Sequence, residues 1–190
     1  MLPTAHGRSL QLLVGFLILK ALIAPAVGAD VRTVAPTSAA TAPVDLSFRD
    51  FYRMPVGPRG LEPTEKLLGL DGRRVRIEGH VVQEEDSLPG LFLMTPTPVA
   101  LAERADGPAD YLPGATVFVH LRADDAQQKY LTYRPGLWTV VGTLELGGRE
   151  EPDGRFSYIR LIVDDLSAVR DSTGQVALLS ADAPAGRHHH

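Results

Sequence analysis

Between residues 74 and 83, Val75, Ile77, Gly79 and Val81 alternate with Arg74, Arg76, Glu78 and His80, the period-two pattern of a half-buried strand. Four more segments carry strand signals. Residues 91–94 form a short apolar run stopped by Pro96 and Pro98. Residues 116–122 set Val117, Val119 and Leu121 on one face, with Phe118 and His120 on the other. Residues 137–146 are β-rich around Trp138 and contain Gly142, where a bulge or tight bend is expected. Asp153-Gly154 then supplies a turn, and residues 155–163 alternate Phe156, Tyr158, Arg160 and Ile162 with Ser157, Ile159, Leu161 and Val163.

Helical signals are sparse. Pro63-Thr64-Glu65-Lys66-Leu67-Leu68-Gly69 reads as one or two turns, with Pro early, an acid in the first turn and Gly at the stop. The aromatic cluster Phe48, Phe51 and Tyr52 predicts a segment that docks on the domain. These elements predict a mainly β fold, a small five-stranded OB-like partly open barrel with one short helical segment. Its rival is a five-stranded sandwich.

Outside this domain the pattern changes. Arg8, an apolar stretch from Leu10 to Ala24 and the small residues Ala26-Val27-Gly28-Ala29 are the parts of a secretory signal peptide, expected at residues 1–29 and cleaved after Ala29. A retained anchor is disfavoured by Lys20 and Pro25, because a spanning helix needs about 20 predominantly apolar residues. A flexible linker is expected at 30–43, the barrel domain at 44–172 and a flexible tail at 173–190. The expected location is periplasmic or secreted, with no integral membrane segment after cleavage. The absence of cysteine removes disulfides and thiolate chemistry, so stability must come from a hydrophobic core.

Charge narrows the partners. From residue 30 onward 17 basic residues face 23 acidic ones, a net charge of −6, and an acidic exported domain is a poor nucleic-acid binder.

The run Leu70-Asp71-Gly72-Arg73-Arg74-Val75-Arg76-Ile77-Glu78-Gly79, followed by Leu91-Phe92-Leu93, by residues 137–144 and by Phe156-Ser157-Tyr158, resembles an uncharacterised family of small exported bacterial proteins. The resemblance covers residues 61–169. It implies an OB-like β-barrel domain of unknown function, often encoded beside membrane transport systems, and hence a periplasmic accessory role. Many of those relatives carry a Cys- and His-containing segment after the second strand. Here Pro96-Thr97-Pro98-Val99-Ala100 has neither residue, which weakens any thiol-based metal role.

Candidate chemistry is thin. No Gly-x-Ser-x-Gly elbow, zinc-protease motif or EF-hand spacing occurs, so no catalytic residue is assigned and a non-enzymatic binding module is expected. A hydrolase with an unrecognised site is the remotest alternative. His80 and His120 form a speculative metal pair, for Zn or Cu, that needs a carboxylate such as Glu78, Glu84 or Asp124 to complete it. The terminal His188-His189-His190 lacks the outer-shell partners that fix ligand geometry. The acidic groups Glu84-Glu85-Asp86, Asp124-Asp125 and Asp164-Asp165 read as solvated turns. Tyr130, Tyr133 and Trp138, around the turn Arg134-Pro135-Gly136, are the expected ligand or partner contacts, together with the long 95–115 connection. The expected partner is an envelope protein or a transported ligand, with no cofactor.

Overall fold

A computed structural model describes residues 42–101, 112–124 and 126–182. The signal peptide expected at 1–29, nearly all of the 30–43 linker, residues 102–111 of the 95–115 connection and the histidine tail lie outside them.

The chain is mainly β. Strands β1 (Val44–Asp45), β2 (Arg74–Val81), β3 (Gln83–Glu84), β4 (Leu91–Thr95), β5 (Ala100–Leu101) and β6 (Val117–Leu121) are followed by β7 (Tyr130–Leu131), β8 (Leu137–Glu150), β9 (Phe156–Val163), β10 (Val169–Asp171) and β11 (Leu179–Ser180). The helical segment is one turn, α1 (Glu65–Leu68), where Thr64 caps the start by accepting from Leu67 N. It precedes all five main strands.

Those five strands pair in a cycle. β2 runs antiparallel to β4, β4 antiparallel to β6, β6 parallel to β9, β9 antiparallel to β8, and β8 antiparallel back to β2. The β2–β4 seam is the thinnest, holding only the pairs His80↔Thr95 and Val81↔Met94. β1 lies parallel against β2, and β10 borders β8 through Val169↔Val140 and Asp171↔Trp138.

The period-two pattern explains what each strand buries. Val75 and Ile77 of β2, Val117 and Val119 of β6, Trp138, Val140 and Leu144 of β8, and Leu161 of β9 share one core, closed by Phe51 and Leu67. Each large apolar side chain buried there contributes about 1.5–3 kcal/mol. β4 departs from alternation because it is buried on both faces. Its Phe92 and Met94 join the main core, while Leu91 and Leu93 meet Phe118 and Val82 in a second cluster. Val99, Leu101 and Leu112, from either end of the 95–115 connection, pack on that second cluster.

Three expectations change. Gly142 makes no bulge: it pairs with Val75, and a Cβ there would stand 2.5 Å from Ile162 O, so close backbone approach is what demands glycine. The bulge falls between Leu146 and Arg149, at Gly147, whose φ of 112° is a conformation other residues rarely adopt. The packed domain also runs past 172, since Ala177 is buried and β11 pairs with β7.

Candidate functional site

The β8–β9 hairpin extends beyond the cycle as an arm, residues 147–158. Alternation along β9 buries Ser157 and turns its neighbours Phe156 and Tyr158 outward, 59% and 63% exposed. Their ring centroids are 6.3 Å apart. Gly148 lies beneath both rings, so a Cβ there would stand 3.5 Å from Tyr158 and 3.7 Å from Phe156.

Beside Tyr158 opens a groove of about 430 Å³ between the hairpin and α1. Leu67 and Leu68 of α1, Leu61, Pro63, Leu146 and Ile159 line it, with Tyr52 and Gly114. No charged side chain contributes to the lining, and Tyr52 Oη already donates to Gly114 O at 2.9 Å. Burial raises the Tyr52 phenol above its ordinary value of 10.0, which keeps that donor protonated. The groove therefore offers an uncharged, apolar wall with Tyr158 at its rim and Phe156 next to that ring.

A polar cluster ties the arm to the body. Ser157 Oγ donates to Glu151 Oε1 at 2.5 Å, and Arg160 Nη1 donates to Gly147 O at 2.6 Å and to Ser157 Oγ at 3.1 Å. Arg149 Nη2 lies 3.1 Å from His120 Nε2, and Glu151 Oε2 lies 3.4 Å from the same nitrogen. A guanidinium can only donate, so the Arg149 contact is a hydrogen bond when His120 Nε2 carries its lone pair, whereas the Glu151 contact is one when that nitrogen carries a proton. Among the described residues no hydrogen bond reaches Glu151 Oε2, although this carboxylate is almost wholly covered. Burial is the largest influence on His120 and pushes its pKa below the ordinary 6.5; Glu151 opposes that, while Arg149 and Arg160 reinforce it.

This Ser, Glu and His do not make a nucleophilic triad. Ser157 is buried and bonds to the carboxylate rather than to the imidazole.

The residues singled out by sequence fall elsewhere. Trp138 is fully buried, its Nε1 donating to Arg134 O at 2.9 Å with the Arg134 guanidinium 5.7 Å from the ring centroid. It is a core residue. Tyr130 is half-buried on β7 and Tyr133 reaches only the edge of exposure, so the three do not form one open surface. His80 and His120 are not brought together either, because β4 separates their strands and they stand at its opposite ends, at Thr95 and Leu91. That offset is roughly 13 Å along the strand and about 10 Å across it, far beyond the reach of one metal ion. No group of three or more metal-ligating side chains occurs among the described residues.

Glu84 is likewise no solvated turn residue. Its Oε1 accepts from Arg155 Nη1 at 2.6 Å, and Arg155 Nε donates to Asp153 Oδ2 at 2.5 Å, all three side chains being covered. Arg155 also lies over the Phe118 ring at 5.6 Å. Sequence alone had one signal for the arm, the alternation of Phe156 and Tyr158, and had none for the groove, which is assembled from segments about 90 residues apart.

No family model, no curated protein and no solved structure matches this chain.

Proposed function

We propose that this protein is a non-enzymatic binding module of the cell envelope, exported by its N-terminal segment, that holds an envelope protein or a transported ligand in the groove beside Phe156 and Tyr158. The observation that carries the reading is the aromatic pair, set over Gly148 and facing solvent beside an uncharged apolar groove. Exposed aromatics grouped in this way mark binding surfaces, and small-molecule sites are typically about 300–1,000 Å³.

The cyclic pairing of β2, β4, β6, β9 and β8, with its one parallel pair, supports an OB-like barrel as the scaffold. The thin β2–β4 seam supports calling it partly open. An accessory role beside a transport system is what the sequence resemblance implies, and the acidic charge balance argues against nucleic acid as the partner.

The test compares the unaltered protein with a Phe156→Ser/Tyr158→Ser variant in site-directed photo-crosslinking from position 68, at the groove rim, in intact cells. Under this reading a discrete adduct forms and the double variant loses it. An adduct that persists unchanged in a normally folded double variant defeats the assignment.

A further inference from the structure

We infer that Arg160 positions the aromatic arm, by bracing the bulge of β8 against β9 where the arm leaves the body; the inference rests on the arm being part of the proposed binding surface.

Register places Arg160 at that junction. It pairs with Phe118 of β6 on one side and with Glu145 of β8 on the other, whereas the paired residues of β9 before it have β8 alone as a neighbour. Just beyond it the ladder slips. Leu146 pairs with Ile159 and Arg149 with Ser157, so Gly147 and Gly148 stand opposite the single residue Tyr158. Such a two-against-one stretch disrupts the ladder locally, and its shape needs a further support.

The Arg160 side chain reaches back into this gap. Its Nη1 donates to Gly147 O at 2.6 Å on the β8 side, and to Ser157 O at 3.3 Å and Ser157 Oγ at 3.1 Å on the β9 side. One nitrogen thus joins both strands of the arm to a residue held in the body. Gly147 and Tyr158 both line the groove, and Ser157 separates the two exposed rings. The partners chosen are informative. A covered guanidinium ordinarily takes a carboxylate through short, paired hydrogen bonds, and this side chain is only 7% exposed. Yet Glu145 Oε2 stands 3.5 Å from Arg160 Nε, and that nitrogen makes no hydrogen bond among the described residues. The hydrogen bonds of this cation go to the arm instead.

Gly148 reports the arm's geometry, because its hydrogen in the Cβ direction faces the Tyr158 and Phe156 rings, whose ring currents displace its NMR signal. The experiment follows that signal and Nile red binding in the full chain. Arg160→Lys keeps the charge but replaces the planar fork with one ammonium. It is expected to move the Gly148 signal toward its random-coil position and to weaken Nile red binding by roughly tenfold or more. Ser157→Ala removes one of the three acceptors and is expected to move both readouts part of the way. Val75→Ala, a core truncation on β2, lowers stability away from the arm and is expected to move neither. An unchanged Gly148 signal and affinity in Ser157→Ala or in a folded Arg160→Lys overturn the inference, as does an equal change in Val75→Ala, and each leaves the binding site standing. A Gly148 response as expected, in a protein that binds no Nile red even unaltered, supports the positioning role and removes the groove as an apolar-ligand site.

Discussion

Trp138 sits on β8 opposite Gly79 of β2 and Asp171 of β10, and its only polar atom is satisfied there by Arg134 O. Its truncation to Ala should cost about 3–5 kcal/mol, the range for deleting a buried aromatic ring, read as a fall in the urea midpoint. Phe156→Ala removes a ring of similar kind that is mostly in water, so its effect should stay within about 0.5 kcal/mol while binding is lost. Equal destabilisation by the two changes would contradict this division between core and surface aromatics. Gly142→Ala tests close packing directly. Its new methyl would press on Ile162 O, a backbone atom that cannot rotate aside, so a loss of about 1–3 kcal/mol is expected from chemical denaturation.

At the scale of elements, the turn between β8 and β9 is fastened to the segment after β2 by Arg155, which bridges Glu84 and Asp153 under nearly complete cover. Arg155→Ala removes the guanidinium that both carboxylates share there and should cost about 3–5 kcal/mol, the range for breaking a buried ion pair. Arg53→Ala breaks an ion pair to Glu65 that is mostly in water, and should cost less than about 1 kcal/mol. Thermal unfolding of both variants checks the contrast, and similar melting shifts would refute it. Of the main strands, β2 and β8 were legible from their period, and β4 from its unbroken apolar run Leu91-Phe92-Leu93-Met94. The Arg155 clasp was not legible, because Glu84 lies 71 residues from Arg155 and charged neighbours of a turn ordinarily face water. The two-residue strands β7 and β11 escape notice because two residues carry no period. Likewise His80 and His120 looked convergent only while the strand order was unknown; β4, inserted between β2 and β6, drives them apart.

For the whole molecule, these local environments combine into a two-stage acid response. A histidine held below its ordinary pKa binds fewer protons folded than unfolded, so stability rises with pH across its window. The contribution of His120 is complete above its ordinary 6.5 and is lost as pH falls from there through the depressed folded value. Three aspartates act lower. Lys66 holds the Asp50 pKa down first by hydrogen bonding, Ser167 does so for Asp165, and Thr173 for Asp171. Each folded pKa lies below the ordinary 3.8, so their stabilisation is present above that value and disappears as pH falls through the folded ones. Urea midpoints measured from about pH 8 to pH 2 should therefore decline first near the histidine window and again in the carboxylate window. His120→Gln should flatten the first decline and leave the second. An unchanged upper decline in His120→Gln would assign that stage to another group.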